Sequence, residues 1–197
     1  MDKFYILIIR SNTNIGRFIR LMTGYNYSHV SISLNDDLVP LYSFARYYVN
    51  RPFTGGFTEE SWLRYLDKEK DIKFIKFTIP ISKKGKKALA KKLNEMNVHK
   101  KYYRYSLLSA INCFYPKMPF CPKNKYTCLS FAVKILKDYG IIDPLITIYE
   151  IRKLHYLLKH FPHQVYRMSC SEKQNYEWGL DEYYNRQSIL NHLPFVK

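Results

Sequence analysis

Apolar runs and strict alternation of apolar with polar residues predict several β-strands in this chain. Phe4 to Ile9 is a short apolar run, typical of a buried strand. From His29 to Leu34 every second residue is apolar, which predicts a strand with one face in the core and His29 on the opposite face. Val39 to Ala45 is expected to return as its hairpin partner, and Ile72 to Ile79 to form a further strand.

Helix signals occupy other parts of the chain. Asn14 is expected to cap a short helix that ends at Gly24. From Ser82 onward, apolar residues at i, i+4 and i+7 form one stripe on a Lys-rich surface helix. Thr127 is expected to cap a helix from Cys128 to Tyr139. Two further elements are predicted: a helix from about Thr147 to His160 and a strand from Gln164 to Met168.

Three stretches carry turn or breaker signals. The segment from Arg46 to Phe57 contains a Pro and a Gly pair and is interpreted as a loop. Thr58 to Trp62 then looks like the start of a short helix. Prolines break the pattern between Tyr102 and Lys125, which is expected to be irregular. Two remaining expectations are a helical turn near Leu107 to Ile111 and, in the tail from Ser171, a last helix around Leu180 to Leu190.

Length and composition indicate one folded unit over residues 1–197. With 197 residues, 47% of them apolar and 17% aromatic, the chain can bury a core and fits one domain better than two. The mixture of strands and helices predicts an α+β fold.

The net charge of +16 favours anionic partners such as nucleic acid, anionic lipid or anionic wall polymer. The densest basic stretch runs from Lys83 to Arg104 and ends among tyrosines. It is interpreted either as an anion-binding strip, on nucleic acid or at a membrane surface, or as a solvated helix face. A composition bias of the genome would produce the same charge. No specific protein partner is inferred.

The expected location of the protein determines the expected redox state of its cysteines. Phe4 to Ile9 is too short to cross a membrane and lacks the cleavage site of a signal peptide. We therefore expect a cytoplasmic protein whose cysteines are free thiols; these are Cys113, Cys121, Cys128 and Cys170.

No metal or cofactor is expected. His155 and His160 lie on divergent helix faces, and His163 follows them. Cys113, Cys121 and Cys128 lack the close pairing of zinc sites.

Cys128 is the cysteine best placed for chemistry, because a helix N-terminus stabilises a thiolate. His29 is the candidate base, since alternation turns its side chain away from the apolar face. The two would meet if the Cys128 helix packed on the other face of the sheet. Without further information, a Cys and a His so far apart are more often unrelated.

Two motifs resemble a known superfamily. Tyr126-Thr127-Cys128-Leu129-Ser130-Phe131 and Tyr27-Ser28-His29-Val30 are similar to the two signatures of the NlpC-type papain-like cysteine hydrolases. With His before Cys, the chain resembles the circularly permuted branch, which includes YiiX-like bacterial proteins, lecithin:retinol-acyltransferase-like enzymes and a poxviral relative. The likeness covers about Tyr5 to Gly140, and residues 141–197 would complete the domain and add a tail. It also includes Ile15 to Gly24, Leu41 to Phe44 and Gly55 to Phe57.

The resemblance implies a permuted papain-like fold, with a central antiparallel sheet or half-barrel packed against helices. It implies that Cys128 attacks a carbonyl carbon and that His29 moves the proton. The backbone N–H of Cys128 and the Tyr126 hydroxyl would bind the oxyanion, and Gly55 and Gly56 would lie at the substrate.

Two positions depart from the superfamily's pattern. Leu129 follows the Cys where many relatives have Ser, and Ser43 occupies the place of the residue that orients the His. A hydroxyl stabilises imidazolium less than a carboxylate does, so the sequence leaves open whether Ser43 or another group serves, or whether the site is inactive.

Two functions follow. The first is a cysteine hydrolase or acyltransferase that cleaves an amide, isopeptide or ester bond of a peptide, wall-peptide or lipid-like acyl substrate through a thioester acyl-enzyme. The alternative is a non-catalytic binding module that uses a basic face on nucleic acid, anionic lipid or wall polymer.

Overall fold

The structure, a computed structural model, describes residues 1–48, 54–65, 71–105 and 125–168. In these ranges the chain folds as an α+β protein, as the sequence predicts. The strands are β1 Asp2–Arg10, β2 His29–Ser33, β3 Leu41–Arg46, β4 Gly55–Glu60, β5 Ile72–Ile81, β6 Arg104–Tyr105, β7 Lys125–Tyr126 and β8 His163–Met168. The helices are α1 Asn14–Thr23, α2 Lys83–Val98, α3 Cys128–Asp138 and α4 Ile151–Leu158. Short 3₁₀ turns occupy Trp62–Tyr65 and Lys100–Tyr102.

The strands form one open sheet in the order β7-β6-β4-β3-β2-β1-β5-β8. Neighbouring strands are antiparallel except β6 and β7, which run parallel, so the sheet is mixed rather than purely antiparallel as expected. Residues 4–9 of β1 are buried, because they have a partner strand on each side and packing on both faces.

The two sides of the sheet are packed differently. One side carries the main core, in which alternate strand residues such as Ile6, Val30 and Phe44 pack against α2, α3 and α4. The other side carries a smaller apolar cluster around Leu7 and Trp62, covered by the 3₁₀ turn Trp62–Tyr65. Strand alternation explains this division, since neighbouring residues of a strand point to opposite sides.

Polar side chains begin the helices that support the core. Ser82 accepts a hydrogen bond from the Gly85 N–H at 3.0 Å. Thr127, the predicted cap of α3, accepts one from the Ser130 N–H at 3.1 Å. For α1 the predicted cap is wrong by one residue, because the Thr13 side chain, not that of Asn14, accepts from the Gly16 N–H at 3.2 Å.

Glycines with positive φ angles follow two of the helices. Gly24 follows α1 with φ 59°, and Gly140 follows α3 with φ 68°. This left-handed conformation costs glycine little, because it has no Cβ.

The predicted loop and helix start at residues 46–62 are wrong in part. Gly55–Glu60 is strand β4, and the turn that follows begins only at Trp62. A Cβ at Gly56 would lie 2.1 Å from the Tyr103 carbonyl oxygen, so glycine there lets the backbone of the neighbouring strand approach closely. The Gly pair therefore belongs to a strand rather than to a turn.

The other predicted elements agree with the structure within a few residues. The strands predicted at 4–9, 29–34, 39–45, 72–79 and 164–168 are β1, β2, β3, β5 and β8. The helix predicted at 147–160 is the shorter α4. The turn expected at 107–111, the helix expected at 180–190, and Cys113, Cys121 and Cys170 lie outside the described residues. Among the described helices, none combines the length and apolar character that crossing a membrane requires.

Candidate active site

Cys128 is the first residue of α3, where the backbone N–H groups of the first turn point out of the helix end. Thr127 and Ser130 form a reciprocal capping box: the Thr127 N–H donates to Ser130 Oγ at 2.8 Å, and the Ser130 N–H donates to Thr127 Oγ1 at 3.1 Å. The Ser130 side chain therefore helps to fix the helix start. This cap holds the thiol at the positive end of the helix dipole.

The structure brings His29 to Cys128. The imidazole and the thiol form a side-chain hydrogen bond, and the Val30 N–H donates to the sulfur. Burial raises the pKa of Cys128, but the charge and hydrogen bond of His29, together with the Val30 N–H, outweigh burial and lower the pKa of the thiol. These contacts favour a thiolate beside an imidazolium.

Glu60 contacts the imidazole from the other side. Glu60 Oε2 lies 3.1 Å from His29 Nε2. Burial lowers the pKa of His29, but the Glu60 carboxylate and Cys128 outweigh it and raise the pKa to about 10. Burial likewise raises the pKa of Glu60, yet His29 and then Arg64 outweigh it and hold the pKa at about 2. The carboxylate and the imidazolium thus stabilise each other's charged form.

Three further side chains hold Glu60 in place. Ser31 Oγ donates to Glu60 Oε2 at 2.8 Å, and the Tyr65 hydroxyl donates to the same oxygen at 2.9 Å. Arg64 Nη1 lies 3.7 Å from Glu60 Oε1. Burial, and then the Glu60 carboxylate, raise the pKa of Tyr65 well above its usual value, so its hydroxyl remains a donor. We call Ser31, Glu60, Arg64 and Tyr65 the carboxylate cluster.

Arg64 ties this cluster to the sheet. Its Nη1 donates to the Arg46 carbonyl at 2.8 Å, and its Nη2 donates to Thr58 Oγ1 at 3.0 Å. The guanidinium thereby joins β3, β4 and the turn that follows. A buried arginine with several acceptors keeps a fixed geometry, so the carboxylate it faces is fixed as well.

Exposure falls from the reactive pair to the carboxylate. Cys128 is 9% exposed and the His29 side chain 13%, whereas the side chain of Glu60 is 2% exposed. The sulfur and the imidazole thus keep a small solvent-exposed area, while the carboxylate is almost fully enclosed. In a site of low dielectric, the charges of the three groups act on each other strongly.

Ser43 does not take the place that the resemblance implies. It is fully buried on β3, and its hydroxyl makes no hydrogen bond to any of the described residues. The register that sets Ile32 opposite Tyr42 places Ser43 beside Ser31. The imidazole's polar neighbour is instead Glu60 on β4, whose longer side chain reaches it. The structure therefore places Glu60, and not Ser43, beside the imidazole.

The remaining predicted site residues lie in the sheet. Tyr126 forms β7, is half-buried, and packs its ring 5.0 Å from that of Phe44. A Cβ at Gly55 would lie 2.5 Å from the Ala45 carbonyl oxygen, and one at Gly56 would meet Tyr103. Close packing within the sheet accounts for both glycines.

The helix that begins at Cys128 does not pack on the expected face of the sheet. The apolar residues of α3, such as Phe131, pack in the main core with Val30 and Ile32, not on the side that carries Ser31. Cys128 nevertheless meets His29, because the helix begins beside the first residues of β2, where the Val30 N–H reaches the sulfur. The contact is made at the end of the strand rather than across the middle of a face.

The sequence does not predict the position of Glu60, because a helix start at Thr58 to Trp62 places the carboxylate on a solvated turn. The sequence offers little signal here, because three polar residues follow Phe57 and only Phe57 and Thr58 are residue types that favour a strand. On β4 Thr58 and Glu60 share a side, and Arg64 contacts both.

Within the described ranges, no group of three or more His, Cys, Asp or Glu side chains has a metal-binding arrangement. His155 has another contact, since its Nδ1 lies 2.5 Å from the Tyr25 hydroxyl. Comparison of the chain with family models, curated proteins and solved structures found no match.

Proposed function

We propose that this protein is a cysteine hydrolase or acyltransferase that cleaves an amide, isopeptide or ester bond through a covalent thioester. The observation that carries the proposal is the hydrogen-bonded pair of Cys128 and His29 at a helix N-terminus, with Glu60 behind the imidazole. Nucleophile, base and orienting group in series are the arrangement that nucleophilic catalysis requires. In this proposal the α+β architecture is a permuted papain-like fold, because the strand with His precedes the helix with Cys.

In the first step the Cys128 thiolate attacks the carbonyl carbon of the acyl substrate and forms a tetrahedral intermediate. The oxyanion accepts hydrogen bonds at the start of α3, where the backbone N–H of Cys128 lies in the first turn. Collapse of the intermediate breaks the bond to the leaving nitrogen or oxygen, which takes a proton from the His29 imidazolium. The products are a thioester on Cys128 and a free amine or alcohol.

In the second step neutral His29 takes a proton from water or from an acceptor alcohol or amine. The resulting nucleophile attacks the thioester carbonyl, and the C–S bond breaks to restore the thiolate. Transfer to water is hydrolysis, and transfer to another acceptor is acyl transfer. The imidazolium returns with the proton it has taken, so the site is ready for another cycle.

Glu60 is the orienting residue in this mechanism. Its carboxylate faces His29 Nε2 and, together with the contacts of the carboxylate cluster, keeps the ring in one position. Because the carboxylate is buried and its pKa is about 2, it stays ionised throughout the neutral range. It acts through the imidazole and does not touch the substrate.

Activity-based labelling tests the proposal. A thiol-directed acyl probe is expected to label the wild-type protein, and Cys128→Ala is expected to abolish labelling. Cys113→Ala is the matched control and is expected to label as the wild type does. Equal labelling of the two variants contradicts the proposal.

The alternative is a binding module for anionic polymers. The observation that favours it is the set of exposed cations on and after α2: Lys83, Lys84, Lys87, Lys91, Lys101 and Arg104. Such a module predicts binding that weakens steeply with salt and persists in Cys128→Ala. Binding to a model polyanion that is absent, or insensitive to salt, removes this alternative.

A further inference from the structure

We propose that Arg10 and Lys73 form a binding site for an anionic group of the substrate, a carboxylate or a phosphate, beside the Cys128–His29 pair. Arg10 is the last residue of β1, and Lys73 is the second residue of β5. The two residues are directly opposite each other in the register of these antiparallel strands. The inference rests on the proposed function, because it names a property of the substrate on which that site acts.

Strand alternation sets the direction of both side chains. Residues directly opposite each other in an antiparallel pair point to the same side of the sheet. Arg10 follows Ile8 at a spacing of two, and Lys73 precedes Ile75 at the same spacing. Both isoleucines belong to the main core, which lies on the side that α3 covers. The two cations are therefore directed to the side of the sheet on which α3 lies.

Within the described ranges, this pair of cations has no counter-ion. Neither side chain makes a hydrogen bond or an ion pair with a described residue, although both are partly buried. Asp71, two residues before Lys73, instead has its Oδ2 atom 3.5 Å from Arg167 Nε. Like charges on directly opposite strand residues destabilise a sheet. An anion held between Arg10 and Lys73 offsets that repulsion.

The register also places Arg10 next to the reactive pair. Ile9, the residue before Arg10, is opposite His29. With opposite Cα atoms about 5 Å apart and a rise of about 3.4 Å per residue, the Cα atoms of Arg10 and His29 are about 6 Å apart. Cys128 belongs to the main core, toward which Arg10 is directed. An anion at Arg10 therefore lies close to the sulfur and the imidazole.

Ser28 adds a buried hydroxyl beside Arg10. Its N–H donates at 3.0 Å to the Ile9 carbonyl, which belongs to the peptide that links Ile9 to Arg10. The residue is 5% exposed, and its hydroxyl makes no hydrogen bond to any described residue. A buried polar group without a partner is costly and rare. An anion bound at Arg10 supplies an acceptor for this hydroxyl.

These groups together favour an acyl substrate with a negative charge close to the bond that is cleaved. A guanidinium binds the oxygens of a carboxylate or a phosphate through two parallel hydrogen bonds, which fix the orientation of the group. An ammonium adds charge without that geometry. Arg10 and Lys73 thereby hold one end of the substrate while its carbonyl carbon meets the sulfur.

Alkylation of Cys128 by iodoacetate and by iodoacetamide tests the proposal, in the full chain with the other three cysteines replaced by Ser. The first reagent is an anion and the second is neutral. Arg10→Gln is expected to lower the rate constant for iodoacetate by about tenfold or more, because a charge-assisted hydrogen bond to the carboxylate is lost. The rate constant for iodoacetamide, which reports the reactivity of the thiolate itself, is expected to change little.

Three further variants sharpen this comparison. Lys73→Gln is expected to lower the rate constant for iodoacetate, and Arg10→Lys is expected to retain part of it, because an ammonium keeps the charge but lacks the planar fork. Lys84→Gln is the matched control, since it removes the same charge from an exposed position on α2. Its rate constants with both reagents are expected to equal those of the chain without this change.

The two reagents separate failure of this inference from failure of the proposed function. An equal loss with both reagents in Arg10→Gln overturns the anion site, because it shows a general effect on the thiolate. An unchanged rate constant for iodoacetate overturns it as well. In either case the proposed function stands as long as alkylation by iodoacetamide depends on His29. Loss of that dependence contradicts the proposed function instead.

Competing anions distinguish a carboxylate from a phosphate and need no variant at Arg10. Alkylation by iodoacetate is measured with acetate or inorganic phosphate, against chloride at the same ionic strength. Stronger slowing by acetate indicates a substrate with a carboxylate, and stronger slowing by phosphate indicates one with a phosphate. If neither ion slows the reaction more than chloride does, the proposal is overturned.

Discussion

The two sides of the central sheet bury different chemistry. The side packed against α2, α3 and α4 is apolar, with Phe44, Phe57 and Phe131 in mutual ring contact. The opposite side combines a smaller apolar cluster with the buried charges of Glu60 and Arg64. Burying ions is costly unless each is paired and hydrogen-bonded, so the second side gives up stability that apolar packing would supply.

This difference indicates what each side contributes. The apolar side holds α3 and therefore fixes the position of the sulfur. The polar side holds Glu60 and therefore fixes the protonation and orientation of His29. The site lies where the two meet, at the start of β2. Substitutions on the first side should change mainly stability, and substitutions on the second should change mainly the pH dependence of the chemistry.

Replacement of His29 has the largest expected effect. His29→Asn is expected to lower the rate of acyl-probe labelling by about a thousandfold, because the thiol loses both its base and its stabilising charge. Labelling kinetics at neutral pH measure this effect. His160→Asn changes an exposed histidine and is expected to label at the wild-type rate. A His29 variant within a few-fold of the wild type contradicts the assignment.

A cavity on the apolar side should destabilise without changing the chemistry. Phe131→Ala removes a buried ring and is expected to lower the free energy of unfolding by about 3–5 kcal/mol. Chemical denaturation measures the loss. The pH profile of labelling, taken where the variant remains folded, should keep its wild-type limbs. If the pH profile of labelling shifts in Phe131→Ala, the two sides of the sheet do not control stability and pH dependence separately.

Neutralising Glu60 should move the alkaline limb of the pH profile. Against the effect of burial, the Glu60 carboxylate and Cys128 together raise the pKa of His29 to about 10, so the imidazolium that protonates the leaving group is lost only above that pH. In Glu60→Gln the alkaline limb is expected to fall by about one pH unit or more. Steady-state rates from pH 6 to 11 measure the shift. Glu59→Gln, a change of the adjacent and partly exposed residue, is the control.

Glu60→Gln should also change how the stability of the fold depends on acidic pH. Because the folded pKa of Glu60 is about 2 and the ordinary value is 4.5, its contribution is present above pH 4.5 and lost as the pH falls toward 2. The free energy of unfolding of the wild type is therefore expected to decrease over this range more steeply than that of Glu60→Gln. Denaturant titrations at several acidic pH values measure both slopes, and parallel slopes contradict the shift.

Two neighbouring serines give the smallest and most specific test. Ser31→Ala removes a hydrogen bond to Glu60 and is expected to cost about 1 kcal/mol of stability and to lower the alkaline limb slightly. Ser43→Ala is expected to change neither, because none of the described residues hydrogen-bonds its hydroxyl. Thermal unfolding and pH profiles compare the two. The opposite ranking restores Ser43 as the orienting residue.

Local patterns were sufficient to predict most elements, because alternation and capping residues act over a few positions. The sequence also placed Cys128 at a capped helix start and His29 at the start of a strand. Glu60 could not be placed in this way, since its role depends on a strand that glycines allow to pack closely and on an arginine four residues later. The α3 packing face was missed for a similar reason: which side a helix covers is decided by tertiary contacts and not by the strand's own pattern.

The most direct test of the account is the pH dependence of Cys128 alkylation, measured with Cys113, Cys121 and Cys170 replaced by Ser. With His29 present, the sulfur should react as a thiolate well below the ordinary thiol pKa of about 8.5. His29→Asn should move the midpoint up to that value or above it. The double variant His29→Asn/Glu60→Gln, which removes both charges of the buried pair, should do the same if the single variant does not fold. Identical alkylation curves with and without His29 would contradict the central claim that the imidazole activates this sulfur.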